Sequence, residues 1–300
     1  MSTVAHATKR DVHHDVTAKI IATIEADPAQ PQMPWHRGTA PLVLPVNIAT
    51  AKPYQGINIV TLWCAAESAG YHANVWGTYK QWQASDCQVR KGEKAALVVF
   101  YKEYDTEPNP DDSDDDGKRR VAKASWAFNA QQVDGYSPPP PPADLGPIDR
   151  LARADAFTAA TLADIRHGGS RAFYRPSADY IQMPAEGLFT GTATSTRCES
   201  YYGVLLHELT HWCGADKRLN REFGKRFGDN AYAVEEMVAE LAAAFLCAEL
   251  GITNEPRPDH AHYIRHWLSI LKQDNRAIFA AAAKASEACR YLAAFSKAEA

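Results

Sequence analysis

The chain has 300 residues, 46% of them hydrophobic and 23% charged, with a formal net charge of −4. That balance is globular, excludes overall disorder, and leaves room for two ordinary domains. No apolar run approaches the length of a membrane span, and Met1 to Arg10 lacks the apolar core of a signal peptide, so the expected location is cytoplasmic.

Taken in chain order, the first expected element is a helix from Asp11 to Ala26 with Val12, Val16, Ile20 and Ile24 on one stripe. A second helix is expected over Ile57 to Ala69. Thr78 is placed to cap a short helix from Tyr79 to Ala84, and Gly92, within Arg90-Lys91-Gly92-Glu93-Lys94, marks a turn into a strand from Ala95 to Tyr104. A second strand, Val121 to Asn129, pairs with it across a loop containing Asp111 to Asp116. The run from Ser137 through Pro138 to Pro142 favours an extended polyproline conformation and continues neither a helix nor a sheet. It divides the chain into a first domain over 1–136, a linker over 137–147 and a second domain over 148–300. The second opens with an amphipathic helix from Ile148 to Arg166. Short strands follow at Ala172 to Tyr174 and Ala178 to Met183, then two helices carrying His207 and Glu236, then helices at His260 to Leu271 and Arg276 to Phe295. No internal repeat is found. Cys64, Cys87, Cys198, Cys213, Cys247 and Cys289 are scattered without C-x-x-C pairs, which fits reduced thiols rather than a disulfide frame.

Charge alters the picture of the first domain. Residues 1–136 carry 14 Lys/Arg and 16 Asp/Glu, but eight of the acids fall between Glu103 and Asp116, an expected solvated loop, so the remaining surface is basic. Interleaved with those cations are Trp35, Tyr54, Trp63, Tyr71, Trp76, Tyr79, Trp82 and Tyr101. Exposed rings stack on unpaired bases and cations hold phosphates, the chemistry of single-strand binding. On that reading the DNA contacts are Lys52, Tyr54, Trp76, Tyr79, Lys80, Trp82, Arg90, Lys91 and Lys94. The competing reading makes the rings core and the lysines ordinary surface, and Trp63 is assigned to the core.

His207-Glu208-Leu209-Thr210-His211 is an H-E-x-x-H motif. Positions four apart share a helix face, so two imidazoles can bind one Zn²⁺ while Glu208 acts as general base toward a metal-bound water. Tyr201, Tyr202, Val204, Leu205, Leu206, Leu209 and Trp212 make this helix apolar, an environment in which polar side chains are costly without a job. A catalytic zinc site wants a third protein ligand. The helix around Tyr232 to Leu246 offers Glu235, Glu236 and Glu240. Glu236 and Glu240 share a face, so Glu236 is read as ligand and Glu240 as hydrogen-bond support to a ligand histidine, with Glu235 an exposed helix charge. His260, His262 and Tyr263 are candidates for stabilising an oxyanion. A small sheet followed by metal-binding helices gives an α+β, zincin-like second domain, in which Tyr180 to Met183 is the expected substrate-pairing edge strand. A one-metal His/His/Glu set lacks the carboxylate-rich two-metal pattern of many nucleases.

The blocks Pro34-Trp35, Pro45-Val46-Asn47, Lys52-Pro-Tyr-Gln-Gly-Ile-Asn58, Trp76-Gly-Thr-Tyr-Lys-Gln81, Val89 to Lys94 and Phe128-Asn-Ala-Gln-Gln132 resemble, in that order, the N-terminal domain of ArdC-type antirestriction proteins. That domain also occurs in some plasmid primases. His207 to Trp212, Arg218-Leu-Asn-Arg221 and Tyr232 to Leu246 resemble the family's zincin-like metallopeptidase domain. The resemblance implies an α+β chain with an N-terminal α/β nucleic-acid-binding domain and a C-terminal metallopeptidase domain. It implies a plasmid-borne protein that binds single-stranded DNA and shields incoming DNA from host restriction during conjugation. Zn²⁺, or another divalent ion such as Mn²⁺, is the implied cofactor, and host restriction proteins are candidate peptide substrates. The rival is a DNA-binding protector whose metal is structural. The acidic loop Asp111 to Asp116 is read as solvated.

Overall fold

A computed structural model describes residues 11–26, 33, 42–107, 118–138, 147–191, 195–221, 230–253 and 260–297. Helix α1 (Val12–Ile24) begins where the Asp11 carboxylate accepts the backbone N–H groups of His13 and His14, and it buries Val16, Ile20 and Ile24 of the expected stripe. β1 (Val46–Asn47) is followed by α2 (Ile57–Ala69), which stops at Gly70, a left-handed residue with φ of 68° that spares the terminus a Cβ clash. β2 (Val75–Thr78) runs into α3 (Tyr79–Ala84), which Thr78 caps as the sequence predicts, within a reciprocal capping box that Gln81 completes. After β3 (Gln88–Val89), the long strands β4 (Ala96–Asp105) and β5 (Lys118–Asn129) pair antiparallel in unbroken register.

These strands form a sheet in the order β1-β2-β5-β4, and β3 pairs separately with β6 (Val133–Asp134). The two-residue strands carry no periodic signal, which is why pattern reading passes over them. Gly77 lets the sheet approach α3: a Cβ there would stand 2.4 Å from Ile48 Cγ2 and 3.1 Å from the Trp82 indole nitrogen. On the side of β4 that bears no further strand among the described residues, the Asn58 side chain donates to Val99 O (2.8 Å) and accepts from Val99 N (2.7 Å), completing both backbone groups.

In the second half, α4 (Pro147–Ala160) is shorter than the helix expected to reach Arg166. Leu162 takes a positive φ of 55°, and the chain turns into a strand, β7 (Asp164–His167). β8 (Phe173–Arg175) and β9 (Tyr180–Met183) follow, in the order β7-β9-β8. The expectation that Tyr180 to Met183 forms an edge is therefore corrected. Unforeseen β7 pairs with its second side in parallel, so β9 is central. Four helices follow among the described residues: α5 (Arg197–Cys213), α6 (Asn230–Leu250), α7 (His260–Gln273) and α8 (Ala277–Lys297). Among the described residues no helix is long and apolar enough to cross a membrane.

One apolar core runs from α1 and α2 through β4 into α5, α6 and α8. Trp63 of α2 meets Phe245 of α6 edge-on at 5.6 Å between ring centroids, which bears out its assignment to the core. The Thr17 hydroxyl donates to Asn275 O (2.7 Å), and the Gly56 N–H donates to the Ser286 hydroxyl (2.8 Å). The expected linker 137–147 lies mostly outside the described residues, as do Trp35 and the Asp111 to Asp116 loop. Whatever course that linker takes, the halves on either side share their hydrophobic interior.

Severing the chain exposes that interior. A fragment of residues 1–136 is expected to aggregate or to unfold without a cooperative transition, whereas co-expressed fragments 1–136 and 147–300 co-elute in size-exclusion chromatography. A monomeric 1–136 fragment with a sharp thermal transition would show that the contacts across the halves contribute little.

Candidate metal centre and nucleic-acid surface

Helix α5 is started by a capping box in which Thr196 and Glu199 satisfy each other's backbone N–H groups. Glu199 also accepts from the N–H and hydroxyl of Thr253, tying the start of α5 to the end of α6. One turn apart on α5, His207 and His211 present their Nε2 atoms to each other at 3.2 Å. Glu236 of α6 completes a triangle, its oxygens 3.5 Å from His207 Nε2 and 3.4 Å from His211 Nε2. Among the described residues these three form a group able to hold a metal ion.

The triangle's dimensions test the fit. Ligands bound tetrahedrally to an ion at about 2.0–2.2 Å stand about 3.3–3.6 Å apart, and the observed separations, the two from Glu236 ending on different carboxylate oxygens, are of that size. The outer nitrogens are turned toward carboxylates of α6, His211 Nδ1 at hydrogen-bond distance and His207 Nδ1 in a longer contact. Glu240 lies 3.6 Å from His207 Nδ1, and Glu235 lies 3.1 Å from His211 Nδ1. Glu208, next to His207 on α5, is 3% exposed and lies outside the triangle.

Glu235 corrects the sequence reading. Instead of a solvated helix charge it is 4% exposed, because Ala-rich α6 is packed on all sides and presents no solvent face there. Its carboxylate takes a two-pronged hydrogen bond from Arg221 at 3.0 and 2.8 Å. Arg221 also donates to Thr210 O on α5 (2.6 Å). The available signal was the Arg218-Leu-Asn-Arg221 block, whose second arginine is as buried as the carboxylate it serves. Arg218 anchors the same loop elsewhere, stacked 3.9 Å over the Trp212 ring and ion-paired with Asp179 before β9. The side chains of His260, His262 and Tyr263 lie outside the described residues.

Burial works against a charge on His211, yet hydrogen bonds from the ring to Glu235 and Glu236 prevail and raise its pKa to about 10. Burial also disfavours the Glu236 carboxylate, but His207 and His211 hold it well below the usual carboxylate range. Without metal, a proton therefore competes for the His211 electron pair that an ion would use.

The expected DNA contacts divide by burial. Tyr54, Trp76 and Trp82 are core, which corrects their assignment as stacking platforms. The Trp82 indole N–H donates to Phe128 O within a cluster containing Cys87, Val89 and Val133, and the Tyr54 hydroxyl accepts from Asn47. Lys52, Lys80, Arg90, Lys91, Lys94 and Tyr79 are exposed. Of these, Tyr79, Arg90 and Lys91 line one shallow groove with Gln88 and Phe128. Arg90 is ion-paired with Glu93 (2.8 Å) and Asp134 (3.6 Å). Exposed rings that pattern reading did not single out are Phe100, Tyr104 and Trp126, which stand with Tyr101 on the paired strands β4 and β5.

Comparison with known proteins bears on both halves. Residues 10–128 match the model of the N-terminal domain of anti-restriction factor ArdC, and residues 152–284 match that of a zincin-like metallopeptidase. Protein y4eC of Sinorhizobium fredii is 47% identical over 285 residues, spanning 93% of this chain and 91% of its own length. DNA primase TraC of Escherichia coli is 35% identical over 311 residues, spanning 96% of this chain but only 27% of the primase. The crystal structure of antirestriction protein ArdC from plasmid R388, metal-free, is 36% identical with a TM-score of 0.76, covering 96% of this chain and 99% of that one. Its Mn(II)-bound form matches with a TM-score of 0.75.

Two outcomes follow from this geometry. Arg221→Met leaves Glu235 charged and buried, and is expected to cost about 3–5 kcal/mol in denaturant unfolding and about 10- to 100-fold in divalent-metal affinity. Arg221→Met/Glu235→Met should recover most of the stability but not the affinity; no difference between single and double variants would break the proposed pairing. Separately, metal binding to the metal-free protein at pH 7 should release about one proton, because His211 is protonated below pH 10, and affinity should rise with pH. Calorimetry in buffers of differing ionisation enthalpy measures that proton.

Proposed function

The chain belongs to the ArdC antirestriction family, and from that premise we propose that it binds single-stranded DNA in the cytoplasm and protects incoming plasmid DNA from restriction during conjugation. The triangle of His207, His211 and Glu236 is the observation that carries the second part of the reading, a divalent-metal site of metallopeptidase type. These three residues would hold Zn²⁺, with Mn²⁺ the alternative suggested by the Mn(II)-bound relative. A bound ion of this kind lowers the pKa of water and polarises a carbonyl.

The chain's own residues supply the rest. Glu208 takes a proton from the attacking water and delivers it to the departing amine. Glu240, and Glu235 backed by Arg221, keep the inner nitrogens of both imidazoles aimed at the centre. An extended peptide would add to one of the outer strands, β7 or β8. On the DNA side, Lys52, Lys80, Arg90, Lys91 and Lys94 neutralise phosphates and Tyr79 stacks on a base. A strand so held cannot pair into a restriction site, and this occlusion requires no hydrolysis. The depth of Glu208 favours a second reading in which the metal serves only to join α5 to α6.

Plasmid transfer into a restricting recipient separates these possibilities. Lys80→Glu/Lys91→Glu should abolish protection, weaken single-strand binding and flatten its salt dependence by about one phosphate contact per lysine. Glu208→Gln should protect as well as the parent. If Glu208→Gln loses protection while metal content, stability and DNA affinity are unchanged, peptide cleavage is the protective act. Equal affinity for single and double strands would remove the DNA reading.

A further inference from the structure

A cleft of about 820 Å³ opens between α1, α2 and the turn into β4. Its walls are mostly small and apolar: Val16 and Ile20 from α1, Cys64 and Ala65 from α2. At one end Tyr71 stands edge-on to buried Trp76, ring centroids 6.0 Å apart. Two exposed cations, Lys19 and Lys94, stand among its lining residues with Glu67 and Glu93. Glu93 is already matched, accepting from Arg90 at 2.8 Å and from Gln132 at 3.0 Å.

We propose that this cleft receives one unpaired nucleobase of a bound single strand, with the flanking phosphates on Lys94 and Lys19. The proposal rests on the single-strand reading above and names where base-dependent affinity arises. Three observations converge. The cleft exceeds the about 300 Å³ at which ligand pockets begin, and its walls offer a flat heterocycle apolar contact and an aromatic end. Its cations are exposed whereas Val16, Ile20 and Cys64 of its lining are buried, which suits a neutral base with charge outside. Finally, the turn Arg90 to Lys94 borders two cavities. Arg90 and Lys91 line the groove beside Tyr79, while Gly92 and Lys94 line the cleft, so a strand leaving the groove passes the cleft's mouth. A duplex base would first have to be extruded from its stack, which costs a few kcal/mol and gives the cleft its preference for single strands.

The test uses the full chain and fluorescent thymidine oligonucleotides, intact or with abasic positions, read by anisotropy. Two variants fill the cleft: Ala65→Phe, half-buried on α2, and Ser68→Trp, exposed on the same wall and therefore tolerated by the fold. The parent should bind abasic strands at least tenfold more weakly than intact ones, because the base in the cleft and the base on Tyr79 are both lost. Both filled variants should bind intact strands about tenfold more weakly than the parent does, the worth of one stacked base, with an unchanged salt slope because the phosphate contacts persist. A 2-aminopurine placed in the strand should change its fluorescence on binding the parent but not the filled variants. Full affinity in folded Ser68→Trp, or no penalty for abasic strands, would overturn the cleft assignment while leaving strand binding intact. Failure to bind any single strand would overturn both.

Discussion

Between α5 and α6 the fold has removed several carboxylates, two imidazoles and a guanidinium from water, and that burial constrains much of the second half of the chain. A buried charge is tolerable only when paired, so each group fixes another: Arg221 fixes Glu235, Glu235 fixes His211, and Glu236 is shared by both rings. The loop after α5 must return over the helix end to bring Arg221 to Thr210 and Glu235, and Arg218 in the same loop grips Trp212 and Asp179. The small three-stranded sheet is thereby joined to the helix pair that bears the polar cluster.

That helix pair is also where the two halves meet. Phe245 lies on α6 nearly three turns beyond the Glu235 and Glu236 pair and packs against Trp63 of α2. α8 lies against α6 on one side and receives Gly56 on the other through Ser286. The half carrying the exposed cations therefore rests on the same scaffold that positions His207, His211 and Glu236, and the stability of one is part of the stability of the other.

What could be read from the sequence follows the length over which each signal accumulates. Helices with one clear local signal were legible to within a residue or two: α1 by its apolar stripe and α3 by the Thr78 cap. The pair of histidines and Glu236 followed from spacing on helices, which fixes direction. β7 was absorbed into the preceding helix because Asp164, Arg166 and His167 leave Ile165 as its single apolar residue. Missing it also misplaced β9 at the edge. Trp76 and Trp82 read as surface because aromatic residues beside lysines look alike whether the ring points inward or outward; a glycine at position 77, making room for Trp82, was the local hint. Glu235 was undervalued because adjacent helix positions normally face apart, and only an α6 covered on every side buries both it and Glu236.

The Asn58 side chain has a consequence beyond its two hydrogen bonds. An outer strand with unpaired backbone groups is a template onto which another chain can add. By occupying both the N–H and the carbonyl of Val99, Asn58 stands in for one residue of a neighbouring strand, at the point where β4 is still buried and before it reaches its exposed aromatic stretch at Phe100 and Tyr101. Docking of α2 thus finishes the sheet in the act of covering it. Until α2 has docked, β4 remains adhesive, which makes that one amide a guard against oligomerisation of half-folded chains.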